Sequence, residues 1–331
     1  TINRKVDLSR FTDTTRHLTN SGIPTQGIAF YHQSTLDLLQ GLSCSVGLRY
    51  DYEHARCDFS KVQQPLNGNG ETKSLEQFNR SLHFGQFTPR FSMQYLSSHN
   101  QLFYASVSKG YKAGGFNVSF LNNDDYLYSP EYNWNYEIGT KLSFLNNRLS
   151  ADLSLFYIDW RNQQITNTIP TVGNVIRNAG RSRNKGIEAS FQARPTKSWM
   201  MYMNYGYTDA RFVHYQKEER GILKDYGGNY LPMVPRHTFS LTTGYSFYDI
   251  CSWIDRLTLN AGVSVTGPIY WYEDNQAKQS PYALVNLRIS INKGCFTWEA
   301  WSKNLTNTDY LSYYFVTSKA YAQKGKPITL G

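Results

Sequence analysis

Three places in this chain concentrate side chains that could hold a flat, oxygen-rich solute. Trp271-Tyr-Glu-Asp274 and Tyr313-Tyr-Phe315 set aromatic faces beside hydroxyl and carboxylate groups, and Tyr126 and Tyr128 form a looser pair. Exposed, clustered aromatics cost free energy unless they serve an interface. Trp271, Tyr272, Tyr313, Tyr314, Tyr126 and Tyr128 are therefore candidates to stack on a catecholate, a porphyrin or a sugar ring. The same side chains would also suit the aromatic girdle of a membrane protein.

Bond-breaking chemistry finds no comparable footing. No GxSxG, P-loop or HExxH pattern occurs. The histidines (17, 32, 54, 83, 99, 214 and 237) are scattered without metal-ligand spacing. Gly110, Gly114 and Gly115 resemble a phosphate loop, but no helix follows to supply its dipole, so they read as a strand end. Cys44, Cys57, Cys251 and Cys295 show no CxxC spacing. The reading is a binding or transport protein, not an enzyme, with no cofactor and no resident metal.

The segments between these residues have a two-residue period. Leu42, Cys44, Val46, Leu48, Tyr50 and Tyr52 share one face, and Ser43, Ser45, Gly47, Arg49 and Asp51 the other. Such a strand is apolar on one side and wet on the other. Strands of this kind are expected at 25–38, 42–54, 80–96, 101–113, 131–145, 148–161, 184–194, 198–211, 235–248, 256–267, 281–292 and 294–304. Short connections alternate with long ones, the latter near 55–79, 114–130, 162–183, 212–234, 268–280 and 305–325. Short turns on one side and long loops on the other describe an all-β, antiparallel transmembrane barrel in an outer membrane. Residues 1–24 then read as the tail of an external loop. Lys326–Gly331 begins a last strand and stops after about six residues, where spanning takes about nine to eleven. The chain thus reads as about twelve full strands and a truncated one, a piece of a larger barrel.

Composition agrees. Apolar residues make up 40 % and aromatics 15 % of the chain, and mean hydropathy is −0.53. No apolar run is long enough for a membrane helix, and a barrel hides its hydrophobicity on alternate residues. The net charge of +9 is spread without a basic run, which argues against nucleic acid and for an anionic surface or solute.

Alternation also sorts the charges. Arg49, Arg90, Glu137, Arg236 and Arg288 fall on the lumen face with Asp51, Glu53, Lys141, Glu188, Glu299 and Lys303. Cross-strand pairing of opposite charges is their expected role, bracing the wall. On strand 184–194, Ile187, Ala189, Phe191 and Ala193 face lipid. Counting upward by twos puts Lys185, Arg183, Arg181 and Arg177 on that same face, above the apolar band. There they would meet the phosphates of lipopolysaccharide.

Several segments resemble the TonB-dependent outer-membrane receptors of Gram-negative bacteria. They are Gly47-Leu-Arg-Tyr-Asp51, Phe103-Tyr-Ala-Ser-Val-Ser-Lys-Gly-Tyr-Lys-Ala-Gly-Gly-Phe-Asn117, Pro130-Glu131 with Tyr136-Glu-Ile-Gly139, Asn178-Ala-Gly180 with Lys185-Gly-Ile-Glu188, Val234-Pro-Arg-His237, Trp301-Ser-Lys-Asn-Leu-Thr-Asn-Thr-Asp-Tyr310 and Gly325-Lys-Pro327. They follow the family's order over nearly the whole chain; Ile328 stands where the family usually has Arg. The resemblance implies a 22-stranded barrel in the bacterial outer membrane, of which residues 1–331 are the C-terminal part. It also implies an N-terminal plug outside this chain that couples to the TonB complex. The implied activity is energised uptake of a scarce solute, most often a ferric siderophore, otherwise haem, cobalamin or a glycan. A passive porin-like channel is the alternative.

Overall fold

The computed structural model describes residues 2–12, 15–66, 71–169, 172–178, 180–219, 222–316 and 319–331. Ala179 of the Asn178-Ala-Gly180 motif, and parts of several long connections, lie outside them. A 14-stranded sheet runs in sequence order. Its strands are β1 (Ile2–Phe11), β2 (Thr15–Leu39), β3 (Leu42–Pro65), β4 (Lys73–Leu96), β5 (Leu102–Lys112), β6 (Glu131–Phe144), β7 (Leu149–Arg161), β8 (Arg181–Ala193), β9 (Trp199–His214), β10 (His237–Cys251), β11 (Ile254–Thr266), β12 (Tyr282–Lys293), β13 (Phe296–Lys303) and β14 (Thr329–Leu330). Every expected strand is present, as β2 to β13. Among the described residues β1 and β14 do not pair with each other, so the sheet is open.

Directly paired residues share a face, so the register fixes what points where. Ile138 opposes Ala105 and Leu155, and Leu155 opposes Ile187. Leu241 opposes Met203 and Val263, and Val263 opposes Val285. One outward face is therefore continuously apolar. The turns at one end are tight, with left-handed backbone carried largely by Asn and Gly: Gly41, Asn100, Asn146, Asn147 and Gly294 all have positive φ.

At the other end the connections are less irregular than the sequence reading expected. Among the described residues five small two-stranded sheets lie there: Gly115–Phe116 with Leu127–Tyr128, Gln164–Ile169 with Gly173–Asn178, Gln216–Glu219 with Ile222–Asp225, Ile269–Tyr270 with Lys278–Gln279, and Leu311–Val316 with Ala320–Lys324. Two expected loop segments are strand. Within 1–24 the described residues are largely paired strand, Ile2–Phe11 lying along Arg16–Thr25 of β2. Most of 55–79 continues β3 and β4, each 24 residues long, far more than a membrane crossing needs.

The physical reason lies in a switch of polarity along β3. Up to Tyr52 the even-numbered residues are apolar and face outward. Beyond it the apolar residues are odd-numbered: Ala55, Cys57 and Phe59 are 5, 0 and 3 % exposed, while Arg56 and Asp58 are exposed and ion-paired at 3.1 Å. No register shift falls between. The strand has passed from lipid into water, so its outer face turns polar and its inner face packs on the loops. β9 does the same, from outward Met203, Tyr205 and Tyr207 to inward, buried Ala210 and Phe212.

Candidate functional site

The connections that follow β7 and β9 meet over one apolar nucleus. Ala210, Phe212, Tyr215, Tyr226 and Leu231 are buried together, with Ile165 and Val234 packed against them. Side-chain amides tie the loops to one another. Asn275 accepts from the Tyr230 amide at 2.7 Å and donates to the Tyr230 and Tyr272 carbonyls at 3.0 and 3.1 Å. Asn229 donates to the Glu273 carbonyl at 2.8 Å, and the Leu311 amide donates to Gln279 at 2.9 Å.

This framework walls a cleft of about 720 Å³ whose lining includes Trp271, Tyr272, Tyr313, Tyr314, Asn167 and Lys217. The volume is that of a small-molecule site. The Trp271 ring lies 6.3 Å from Tyr313, edge to face, and 6.5 Å from Tyr314. Tyr272 meets Tyr314 edge to face at 6.3 Å, and its hydroxyl accepts from the Val316 amide. Burial, then the neighbouring Tyr314, Tyr313 and Glu273, raise the Tyr272 phenol above its ordinary pKa against the opposing Val316 bond, so it stays protonated at neutral pH. Trp271 is 5 % exposed, and among the described residues its indole Nε1–H has no hydrogen-bond partner. Lys217 approaches Glu273 at 3.6 Å.

Such a site offers aromatic faces, phenol hydroxyls, an indole donor unpaired among the described residues and a lysine side chain. It can hold a planar, oxygen-bearing solute by stacking and by donation to its oxygens. Among the described residues no group of three His, Cys, Asp or Glu could hold a metal ion.

Of the six aromatic candidates, the structure brings four together. Tyr126 and Tyr128 lie elsewhere. Tyr126 is buried among Phe78 (4.9 Å), Phe120 (4.3 Å) and Arg80 (5.1 Å above its ring). Tyr128 stands over Gly115, where a Cβ would run into its hydroxyl. Both serve the interior of the 114–130 loop. Sequence reasoning missed Asn167 and Lys217, which reach the cleft from other loops and carry no local signal.

The lumen charges are partly paired. Arg49 binds Asp51 at 2.6 Å and Arg288 approaches Glu299 at 3.8 Å, and Tyr104 donates to Glu137 at 2.7 Å. Arg236 lies over the Tyr230 ring at 4.8 Å. Arg90 is exposed on the lumen face, opposite Gly47 and Ser108.

Of the outward cations, Arg181, Arg183 and Lys185 lie on β8 in unbroken register with Ile187 along β7. Arg177 does not continue that ladder. The strand is interrupted before Arg181, and Arg177 sits in the Gly173–Asn178 hairpin, bound to Asp125 at 2.7 Å.

The motif residues mostly anchor loops. Asn117 donates to the Asp125 and Ile176 carbonyls and accepts from the Ile176 amide, at 2.7, 2.8 and 2.9 Å. Glu131 accepts from the Gln164 amide at 2.6 Å. Asn178 accepts from the Ser129 amide at 2.7 Å. Asn304, with positive φ, donates to the carbonyls of Thr308 and Lys326 at 3.1 and 3.0 Å, fixing the approach to β14.

Comparison with known proteins agrees with this architecture. Residues 3–307 match the family model described as TonB dependent receptor-like, beta-barrel. The pesticin receptor of Yersinia pestis is 24 % identical over 329 residues, covering 95 % of this chain and 44 % of that protein. The probable TonB-dependent siderophore receptor PiuA of Acinetobacter baumannii is 26 % identical over 238 residues, 67 % of this chain and 29 % of that protein. The chain thus spans less than half the length of these relatives. Among solved structures, the ferric yersiniabactin uptake receptor FyuA from Yersinia pestis superposes with a TM-score of 0.78 at 20 % identity, covering 99 % of this chain and 48 % of that one. With its alternating turns, outward apolar face and matched length, the chain belongs to the TonB-dependent receptor β-barrel family.

Proposed function

We propose that this chain forms the later wall and external mouth of a bacterial outer-membrane receptor that captures a ferric siderophore for uptake energised by TonB. The observation that carries the reading is the cleft around Trp271. Its wall combines tyrosine hydroxyls, Lys217 and Trp271, whose buried indole N–H has no partner among the described residues, and this set suits the aromatic or carboxylate oxygens of an iron chelate. Iron arrives already bound by its own chelator, so the protein needs no ligand cluster. The names of the relatives, a siderophore receptor among them, support the same substrate class. On this reading Tyr313 and Tyr314 stack on the chelate, Trp271 donates to it, and Lys217 offsets its negative charge.

The test uses the full-length receptor that carries this segment. Trp271→Phe keeps the ring and removes the donor, and should weaken ferric-siderophore binding about fivefold, as for one hydrogen bond. Tyr313→Ala with Tyr314→Ala should weaken it tenfold or more. Binding is read by quenching of intrinsic fluorescence, and uptake by radioactive iron entry with and without TonB. Unchanged affinity in both variants would sink the cleft assignment. Entry that persists without TonB would mark a passive channel instead, and saturable binding of haem, cobalamin or a glycan in place of the chelate would change the substrate class.

A further inference from the structure

A second concentration of charge lies outside the cleft, on the lipid side of the wall. Ile187 on β8 faces outward between Leu155 and Tyr207. Two residues up, Lys185 opposes Tyr157 and Asp209; then Arg183 opposes Asp159 and Arg211; then Arg181 opposes Arg161. The register along β7 has no break, so these side chains share the outward face with Ile187. Steps of two residues along a strand are about 6.6 Å, so the cations climb the wall at regular intervals.

Their charge is not balanced by the protein. Arg181 and Arg161 both reach Asp159, at 2.6 and 3.1 Å. Arg211 is held by Asp209 at 2.7 Å and lies over the Tyr230 ring at 3.9 Å. Arg183 and Lys185 are exposed and, among the described residues, neither is in an ion pair. Arg161 directly faces Arg181, and Arg183 directly faces Arg211. Like charges opposed across a sheet repel, so this face is arranged for an external anion.

Height decides which anion. On β9 the outward residues change from Tyr207 to Asp209 and Arg211, and the apolar residues move to the inner face at Ala210 and Phe212. Lys185 pairs with Asp209, at the level of that change. That level ends the apolar band: Tyr157 stands directly opposite Lys185, and Leu155 and Ile187 lie one step below it. We propose that Arg161, Arg181, Arg183 and Lys185 bind the phosphate groups of lipopolysaccharide, the phosphorylated glycolipid of the outer leaflet, with its acyl chains lying on the apolar residues beneath. This site is separate from the cleft and does not rest on the solute assigned to it.

The test measures lipopolysaccharide bound to the full-length receptor purified from outer membranes, by titration of the delipidated protein. Arg183→Gln with Lys185→Gln should weaken binding about 25-fold, about fivefold for each surface cation, and steepen its loss with salt no further than wild type. The charge-preserving pair Arg183→Lys with Lys185→Arg should bind within about twofold of wild type. Lipid stripped of its phosphates should bind wild type no better than native lipid binds the Gln variant, and millimolar inorganic phosphate should not displace the native lipid. Heat-resistant migration confirms that each variant is folded, and the single Gln variants are read if the double one is not. Solute uptake should stay near wild type. Native affinity in the folded Gln variants, equal binding of dephosphorylated lipid, or displacement by inorganic phosphate would overturn the proposal. So would a collapse of uptake with lipid binding unchanged.

Discussion

At Asn117 a single buried side chain supplies what a missing strand neighbour would supply. Its amide satisfies two carbonyls and one N–H across two loops. Asn117→Ala leaves those groups unpaired, at about 1–3 kcal/mol for a buried group. Hydrogen exchange of 173–178 should quicken while the amides of β7 and β8 stay protected; unchanged exchange in the hairpin would contradict the anchoring role. Asp125 sits beside it. Burial alone would raise its carboxyl, but the Arg177 guanidinium and the Leu121 and Asn122 contacts outweigh burial and hold it below the usual carboxylate range. A depressed folded-state pKa adds stability above the unfolded value of 3.8 and loses it as pH falls through the folded value. The 114–130 loop should therefore hold against the 173–178 hairpin at pH 5 and loosen below about pH 4. In Asp125→Asn that acid transition should disappear, which exchange or limited proteolysis across pH would read.

Strands were legible in the sequence wherever one face met lipid, because lipid imposes a strict two-residue period on the outward side chains. The expected strand stopped at His54, short of the end of β3 at Pro65, because beyond Tyr52 the period continued with its phase reversed. Ala55, Cys57 and Phe59 alternate as clearly as Val46 and Leu48, but on the opposite parity, and a search for one continuous greasy face stops there. The cleft was half legible. Trp271-Tyr272 and Tyr313-Tyr314 are local doublets and stood out; Asn167 and Lys217 join them only through the folding of separate hairpins. Tyr126 misled because an aromatic in a polar stretch looks the same whether the loop buries it or exposes it. Alternation of turn lengths makes a firm claim about sidedness. A cysteine placed at Lys224 should react with an impermeant maleimide on intact cells, and one at Asn146 should not. The reverse pattern would invert the topology.

Across the whole molecule the two end strands stand out. β1 bonds to β2 and β14 to β13, and among the described residues neither has a partner on its other side. Bare strand edges are not tolerated in hydrocarbon. The 331-residue chain refolded by itself into lipid vesicles should aggregate or remain protease-sensitive, and should gain heat resistance only when the remaining strands are supplied. A stable, heat-resistant monomer from this chain alone would contradict that. The height of the wall is uneven. β3 and β4 run 24 residues each, roughly 80 Å of strand, of which about ten residues suffice for the crossing. The remainder continues beyond the apolar band as a ribbon. Antibodies raised against the folded receptor should bind the ribbon's exposed, charged face around Arg56 and Asp58 ahead of the buried Trp271 of the cleft.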